Sequence, residues 1–168
     1  NTISGTDTLV TADTTVNVQG TSNSIAAGAK VEAGTVATIT ATASNEVIGG
    51  ATVDGNSVVM AGAENTIDGV GTSVTGATDV TITGTNSTMI SGSAQVVATN
   101  GTVKVDGGTT GSNTITGADT LVKAGTAVDI DGKTNSIAAG ADLLAGGSVT
   151  IDADESNEVI GGATVDGE

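Results

Sequence analysis

The sequence predicts an all-β fold, a parallel β-solenoid (β-helix) with a coil period of about 22, three short strands per coil and about 7.5 coils. Three observations predict it. First, residues 1–55 recur as residues 113–167 with 36 of 55 positions identical, and the run Asn45–Gly55 returns unchanged as Asn157–Gly167. Second, an asparagine opens a shorter unit at positions 1, 23, 45, 65, 86, 113, 135 and 157, so that the successive steps are 22, 22, 20, 21, 27, 22 and 22. A fixed period of this size marks stacked repeats, each too small to bury its apolar face alone. Third, apolar residues between the asparagines alternate with polar ones over short runs, the period of a strand with one buried face.

The first coil shows how the elements follow. Asn1-Thr2-Ile3-Ser4-Gly5 makes one strand and a corner, Leu9-Val10 a second strand, and Val16-Asn17-Val18 a third that closes at Gly20. The sixth coil repeats it with Asn113, Ile115, Gly117, Leu121, Val122, Val128, Ile130 and Gly132. Helix is disfavoured because glycine and β-branched residues are spread throughout and no stripe of 3.6 period persists. The expected inward set is Ile3, Leu9, Val16, Val18, Ile25, Val31, Ile39, Val47, Val53 and their later counterparts. The long fifth unit, Asn86–Ser112, calls for a bulge at Asn100-Gly101 or at Gly107–Ser112. Residues 1–168 form a single solenoid segment, a five-coil superrepeat (1–112) followed by a partial second copy (113–168). Stacked at the spacing of parallel strands, the coils give a rod roughly 36 Å long.

Composition agrees. The chain has no Phe, Tyr, Trp, Pro, Cys, His or Arg, and 26 of its residues are glycine. A compact globular core relies on aromatics for buried area, whereas a narrow coil interior is filled by Val, Ile, Leu and Ala. Disorder would suit the Gly, Ser and Thr content and the net charge of −15, but a disordered tail has no reason to keep β-branched residues in register. With four lysines against 19 acidic residues, the chain is a poor match for nucleic acid, whose phosphates demand cations. It contains no run of 18 apolar residues of the kind a helical membrane span requires. Absence of cysteine fits a secreted or surface protein that does not use disulfides. The chain opens on a repeat boundary and stops partway through an eighth coil, at Glu168, so it reads as part of a longer or processed chain.

Asparagine satisfies backbone groups at turns. Held at one phase and stacked, its carboxamide can also bond to the same residue one coil away. Asn1, Asn23, Asn45, Asn65, Asn86, Asn113, Asn135 and Asn157 are therefore the expected structural ladder. The motifs that carry it, Asn-x-Ile/Val-x-Gly at Asn1–Gly5, Asn65–Gly69 and Asn113–Gly117, resemble the parallel β-helix repeats of bacterial secreted and surface proteins, such as adhesin and autotransporter passengers. That resemblance covers nearly the whole chain and implies a structural role outside the cell or at its surface. Some members of the class are polysaccharide lyases or glycosidases. This chain lacks the Arg, His and aromatic residues such sites use and carries its carboxylates at repeated outward positions, so it is read as no enzyme, with no cofactor. Two ligands stay open. Aligning the third strands sets Asp106, Asp131 and Asp152 in one column, the oxygen donors a calcium ion prefers. Thr38-Ile39-Thr40 and Thr81-Ile82-Thr83 point threonines outward as an ice-binding face would, although Lys104, Asp129 and the three aspartates interrupt the columns. Gly5-Thr6-Asp7-Thr8-Leu9 and Gly117–Leu121 are similar to the Gly-x-Asp-x-apolar core of nonapeptide calcium repeats, but once per coil they read as an Asp at a turn. The expected partners are copies of itself end to end, or flanking coils, since no residues resembling a cap close either end of the stack.

Overall fold

The computed structural model describes residues 1–168 and contains strands and turns but no helix. Every strand pairing is parallel, in one sheet of nine strands and one of eight. Each coil presents three faces in chain order. Face 1 is the Asn-x-Ile strand, as in Asn23-Ser24-Ile25; face 2 is a four-residue strand such as Lys30–Ala33; face 3 is the Val-x-Ile type strand, as in Ala37-Thr38-Ile39. Faces 3 and 1 do not separate as two short strands. They run together as single long strands, Thr15–Ala26, Val36–Ile48, Ser57–Asp68, Val80–Ser91, Ala127–Ala138 and Ser148–Val159, each bent over a shift of register. The turn there uses one or two extra residues, such as Thr21 or Thr42-Ala43, at which backbone pairing lapses before it resumes on face 1. Only in the fifth coil does it split, into Thr102–Asp106 and Ser112–Thr116, with Gly107–Gly111 bulging between them. The bulge falls within the second of the two segments expected to carry it. Asn100-Gly101 forms a smaller bend with Thr99.

The core is a narrow file of side chains. Face 3 contributes two inward residues per coil, such as Val58 with Met60 and Val80 with Ile82; face 1 contributes one apolar residue, such as Ile67, and face 2 a branched residue such as Val74, joined in several coils by an alanine two places on, as Val96 by Ala98 and Val122 by Ala124. Of the expected inward set, Ile3 packs against the core from the end coil, and Leu9 is a correction. Leu9 is 54% exposed and Val10 takes its place. The reason lies in the preceding corner. A strand flips all its side chains when its phase moves by one residue, and here Thr8 ends the corner with its hydroxyl turned back to the Ser4 carbonyl (2.7 Å), so Leu9 begins the strand pointing out.

Corners between faces 1 and 2 come in two lengths. The three-residue form (Ala27-Gly28-Ala29, Gly49-Gly50-Ala51, Gly92-Ser93-Ala94, Ala139-Gly140-Ala141) holds its first two residues in the left-handed region and closes by a bond such as Ala29 N–H to Ala26 O (3.1 Å). The four-residue form (Gly5–Thr8, Gly69–Thr72, Gly117–Thr120) starts on a glycine at φ 105–114°. It ends on a threonine whose Oγ1 donates to the carbonyl four residues back, at 2.7 Å for Thr8, 2.8 Å for Thr72 and 2.9 Å for Thr120. The hydroxyls of Thr72 and Thr120 also accept from Gly50 N–H and Ser93 N–H of the neighbouring coil. Thus the fragments similar to calcium nonapeptides are Gly-x-x-Thr corners. Gly69–Thr72 closes with the same threonine bond without an Asp, and Asp7 and Asp119 sit exposed on the corner tips.

Two stability measurements follow. Ile25→Ala, in the filled interior, is expected to cost about 2–5 kcal/mol of unfolding free energy, whereas Leu9→Ala changes it by less than about 0.5 kcal/mol; equal effects would contradict the inward assignment. Ala139 holds φ 52° where Gly49, Gly92 and Gly161 stand in equivalent corners. A left-handed L-residue costs about 1–2 kcal/mol, so Ala139→Gly is expected to raise the denaturation midpoint despite the greater freedom of glycine in the unfolded chain.

Candidate functional site

The most organised polar feature lies inside face 1. Asn23, Asn45, Asn65, Asn113 and Asn135 are buried, while Asn1 and Asn157 close the row at the exposed end coils. Five of these seven amide nitrogens give one hydrogen to the Oδ1 of the asparagine one coil on: Asn1 to Asn23 at 2.7 Å, Asn23 to Asn45 at 2.9 Å, Asn45 to Asn65 at 3.0 Å, Asn113 to Asn135 at 2.8 Å and Asn135 to Asn157 at 2.9 Å. The other hydrogen goes to a main-chain carbonyl where face 3 ends: Gln19, Thr40, Ala61, Thr83 and Asp131 accept from Asn1, Asn23, Asn45, Asn65 and Asn113. Those carbonyls stand at the bends where register shifts and regular pairing lapses. The side chain therefore supplies the donor the backbone lacks, which is why a carboxamide with two N–H groups and an acceptor is required rather than a hydroxyl.

Asn86 is a correction. It is exposed at the bend, and the residue in register with Asn65 below and Asn113 above is Thr88. The coils thus begin at 65, 88 and 113, in steps of 23 and 25 rather than 21 and 27. The motif itself carried the signal: Thr88-Met89-Ile90-Ser91-Gly92 matches Asn65-Thr66-Ile67-Asp68-Gly69 with threonine at the first place. Thr88 does not complete the ladder. Its Oγ1 is buried without a partner, as is Oδ1 of Asn113, and the amide of Asn65 bonds only the Thr83 carbonyl.

Asp106, Asp131 and Asp152 do occupy successive coils of one outward column, Asp106 beside Asp131 and Asp131 beside Asp152. Asp106 is tied to Lys104 Nζ at 3.0 Å and accepts from Gly108 N–H at 2.7 Å. The hydrogen bond from Lys104 holds its carboxyl below the usual aspartate value and raises that of the lysine. No group of three or more acidic side chains converges on one point, so the aspartates form a row rather than a cage. On the same face, Thr38 and Thr40 are separated from Thr81 and Thr83 by Val59 and Ala61, and Asn17 and Gln19 precede them. This gives four coils whose outward face-3 strand positions carry no charge, followed by the Lys104 and aspartate coils.

Along the corner between faces 2 and 3, Asp13, Glu32 and Asp54 line an open groove of about 630 Å³. Burial pushes the Asp54 carboxyl above the usual aspartate value, with Glu32 adding to the rise and the Thr75 hydroxyl and Lys30 opposing it. Comparison with protein-family models, curated proteins and solved structures finds no match to this chain.

Asn23→Ala, which removes a ladder amide and strands the Thr40 carbonyl, is expected to destabilise by about 1–3 kcal/mol, while Asn86→Ala stays within about 0.5 kcal/mol. Urea titration of both variants checks the assignment of position 88 rather than 86. For Asp54 the folded state holds the proton more tightly than the unfolded chain. Its contribution to stability is therefore intact below the ordinary value of 3.8 and is lost as pH rises through the elevated folded value. Asp54→Asn is expected to raise the melting temperature at pH 7 and to leave it unchanged near pH 3; a gain at both would place the effect elsewhere.

Proposed function

We propose that this chain is a mechanical element outside the cell or at its surface: the shaft of an adhesin, or the body of a self-assembling surface or matrix filament such as a biofilm fibre. The observation that carries the reading is parallel backbone pairing repeated coil after coil from Thr2 to Gly167. In such a stack, length is simply the number of coils, and the superrepeat of residues 1–112 is a means of setting it. The net charge of −15 keeps neighbouring rods apart in solution. The resemblance of the Asn-x-Ile/Val-x-Gly units to secreted and surface β-helices supports the location, and the partner is another copy end to end or flanking coils. No catalytic role is assigned.

A second reading, a ligand-binding solenoid, rests on face 3: the uncharged threonine-bearing coils would serve ice, and the Asp106, Asp131 and Asp152 row would serve calcium. Electron microscopy and fibre diffraction of the native material separate these readings. Shafts or filaments with an axial repeat near about 4.8 Å are expected. Discrete short particles with thermal hysteresis would favour ice instead, and millimolar Ca²⁺ raising the melting temperature more than NaCl of equal ionic strength would favour calcium.

A further inference from the structure

The structure carries, at one height of the rod, a missing ladder residue with the unpaired atoms it leaves and a cut in the long strand. Thr88 stands where every other coil has an asparagine, so the chain of carboxamide bonds stops at Asn65 and restarts at Asn113. Two buried side-chain atoms there, Thr88 Oγ1 and Asn113 Oδ1, have no partner although each residue is only 1% exposed; a third such atom, Thr52 Oγ1, stands by itself on face 2 of a coil whose carboxamide ladder is intact. The strand that elsewhere continues from face 3 into face 1 is cut by Gly107–Gly111 in the coil that follows Thr88. The bulge leaves the ladder and is held instead by Gly107 N–H to Asp131 O (2.7 Å), Gly108 N–H to Asp106 Oδ1 (2.7 Å), Gly111 N–H to Gly107 O (2.8 Å), Lys133 N–H to Gly111 O (2.8 Å) and Thr110 Oγ1 to Thr85 O (2.9 Å).

We propose that this height is a joint: the rod is two cooperative blocks, residues 1–83 and 117–168, that separate locally at Gly84–Thr116 before either block unfolds. In a one-dimensional stack, cooperativity passes only through nearest-neighbour contacts, so the weakest contact sets where the stack divides. Buried polar atoms left unpaired are what make a contact weak, since they lose bonds to water on folding and gain none. The apolar file runs on through Ile82, Ile90, Val96 and Ile115, which keeps the blocks joined in the native state while the polar ladder beside it is broken. The inference concerns the stack alone and does not depend on the proposed function.

End fraying makes the opposite forecast, which allows a decisive test. Fraying leaves the middle of a stack most protected; a joint makes the middle a minimum. Amide hydrogen exchange of the whole chain, read by mass spectrometry of peptides, is expected to show residues 84–91 and 107–116 exchanging at least about ten-fold faster than residues 36–68 and 127–138. Thr88→Asn is expected to abolish most of that difference by restoring the carboxamide between Asn65 and Asn113. Asn45→Thr, which copies the fault lower in the stack, is expected to create a second fast-exchanging zone around residues 40–48. A protection maximum at coils 4 to 6 overturns the proposal. So does a fast zone that survives in a folded Thr88→Asn chain, or an Asn45→Thr chain whose profile matches the parent; the last decides the matter should Thr88→Asn not fold.

Discussion

The whole structure depends on in-register stacking of backbone strands. A single coil has almost no interior of its own: its inward residues touch partners mostly above and below, and its N–H and C=O groups are satisfied by the next coil. That constraint explains the composition. A cross-section only a few side chains wide leaves no room for a phenyl or indole ring, so Val, Ile and Ala supply the core and methionine enters once, at Met60. It also explains why asparagine is confined to one phase. The bend where face 3 turns into face 1 is the place where backbone pairing lapses, and a carboxamide restores it by linking both along the stack and across to the carbonyl.

The corners show how chemistry and geometry trade. A three-residue corner ends on alanine because the closing residue is buried and needs no polar group. A four-residue corner leaves one more carbonyl to satisfy, and a buried threonine in place of the alanine satisfies it. At Thr72 and Thr120 the same hydroxyl accepts a backbone N–H from the adjoining coil, so a choice local in sequence also ties neighbouring coils.

Period and alternation made the solenoid, the coil length and nearly all of the inward residues legible in the sequence, because a stacked fold writes its contacts at a fixed spacing. What the sequence hid has two physical causes. Leu9 was obscured because a strand's inward phase is set by the preceding corner, and the Gly-x-x-Thr rule that sets it emerges only when Gly5–Thr8, Gly69–Thr72 and Gly117–Thr120 are superposed in space. Thr88 was obscured because a nearby asparagine, Asn86, kept the count nearly regular; the phase belonged to Ile90 and Gly92, whose side chain and φ are fixed by burial and by the turn. The Asp106, Asp131 and Asp152 column was readable because face 3 keeps strict register there, but the closeness of Lys104 to Asp106 depends on two side chains of one strand, which stacking does not determine.

Coils of unequal length share one register: Asn45 lies beside Asn65 across a short coil, and Thr88 beside Asn113 across the longest. Added residues enter only at corners, as at Gly107–Gly111, and the strands on either side resume pairing as if nothing had been added. The corners are thus the sites of tolerance in this architecture: the stack filters mutation by position, forbidding insertions along the faces and absorbing them at the edges. A lineage built on such a rod can vary its outline, and lodge new loops along any of three edges, without renegotiating its interior.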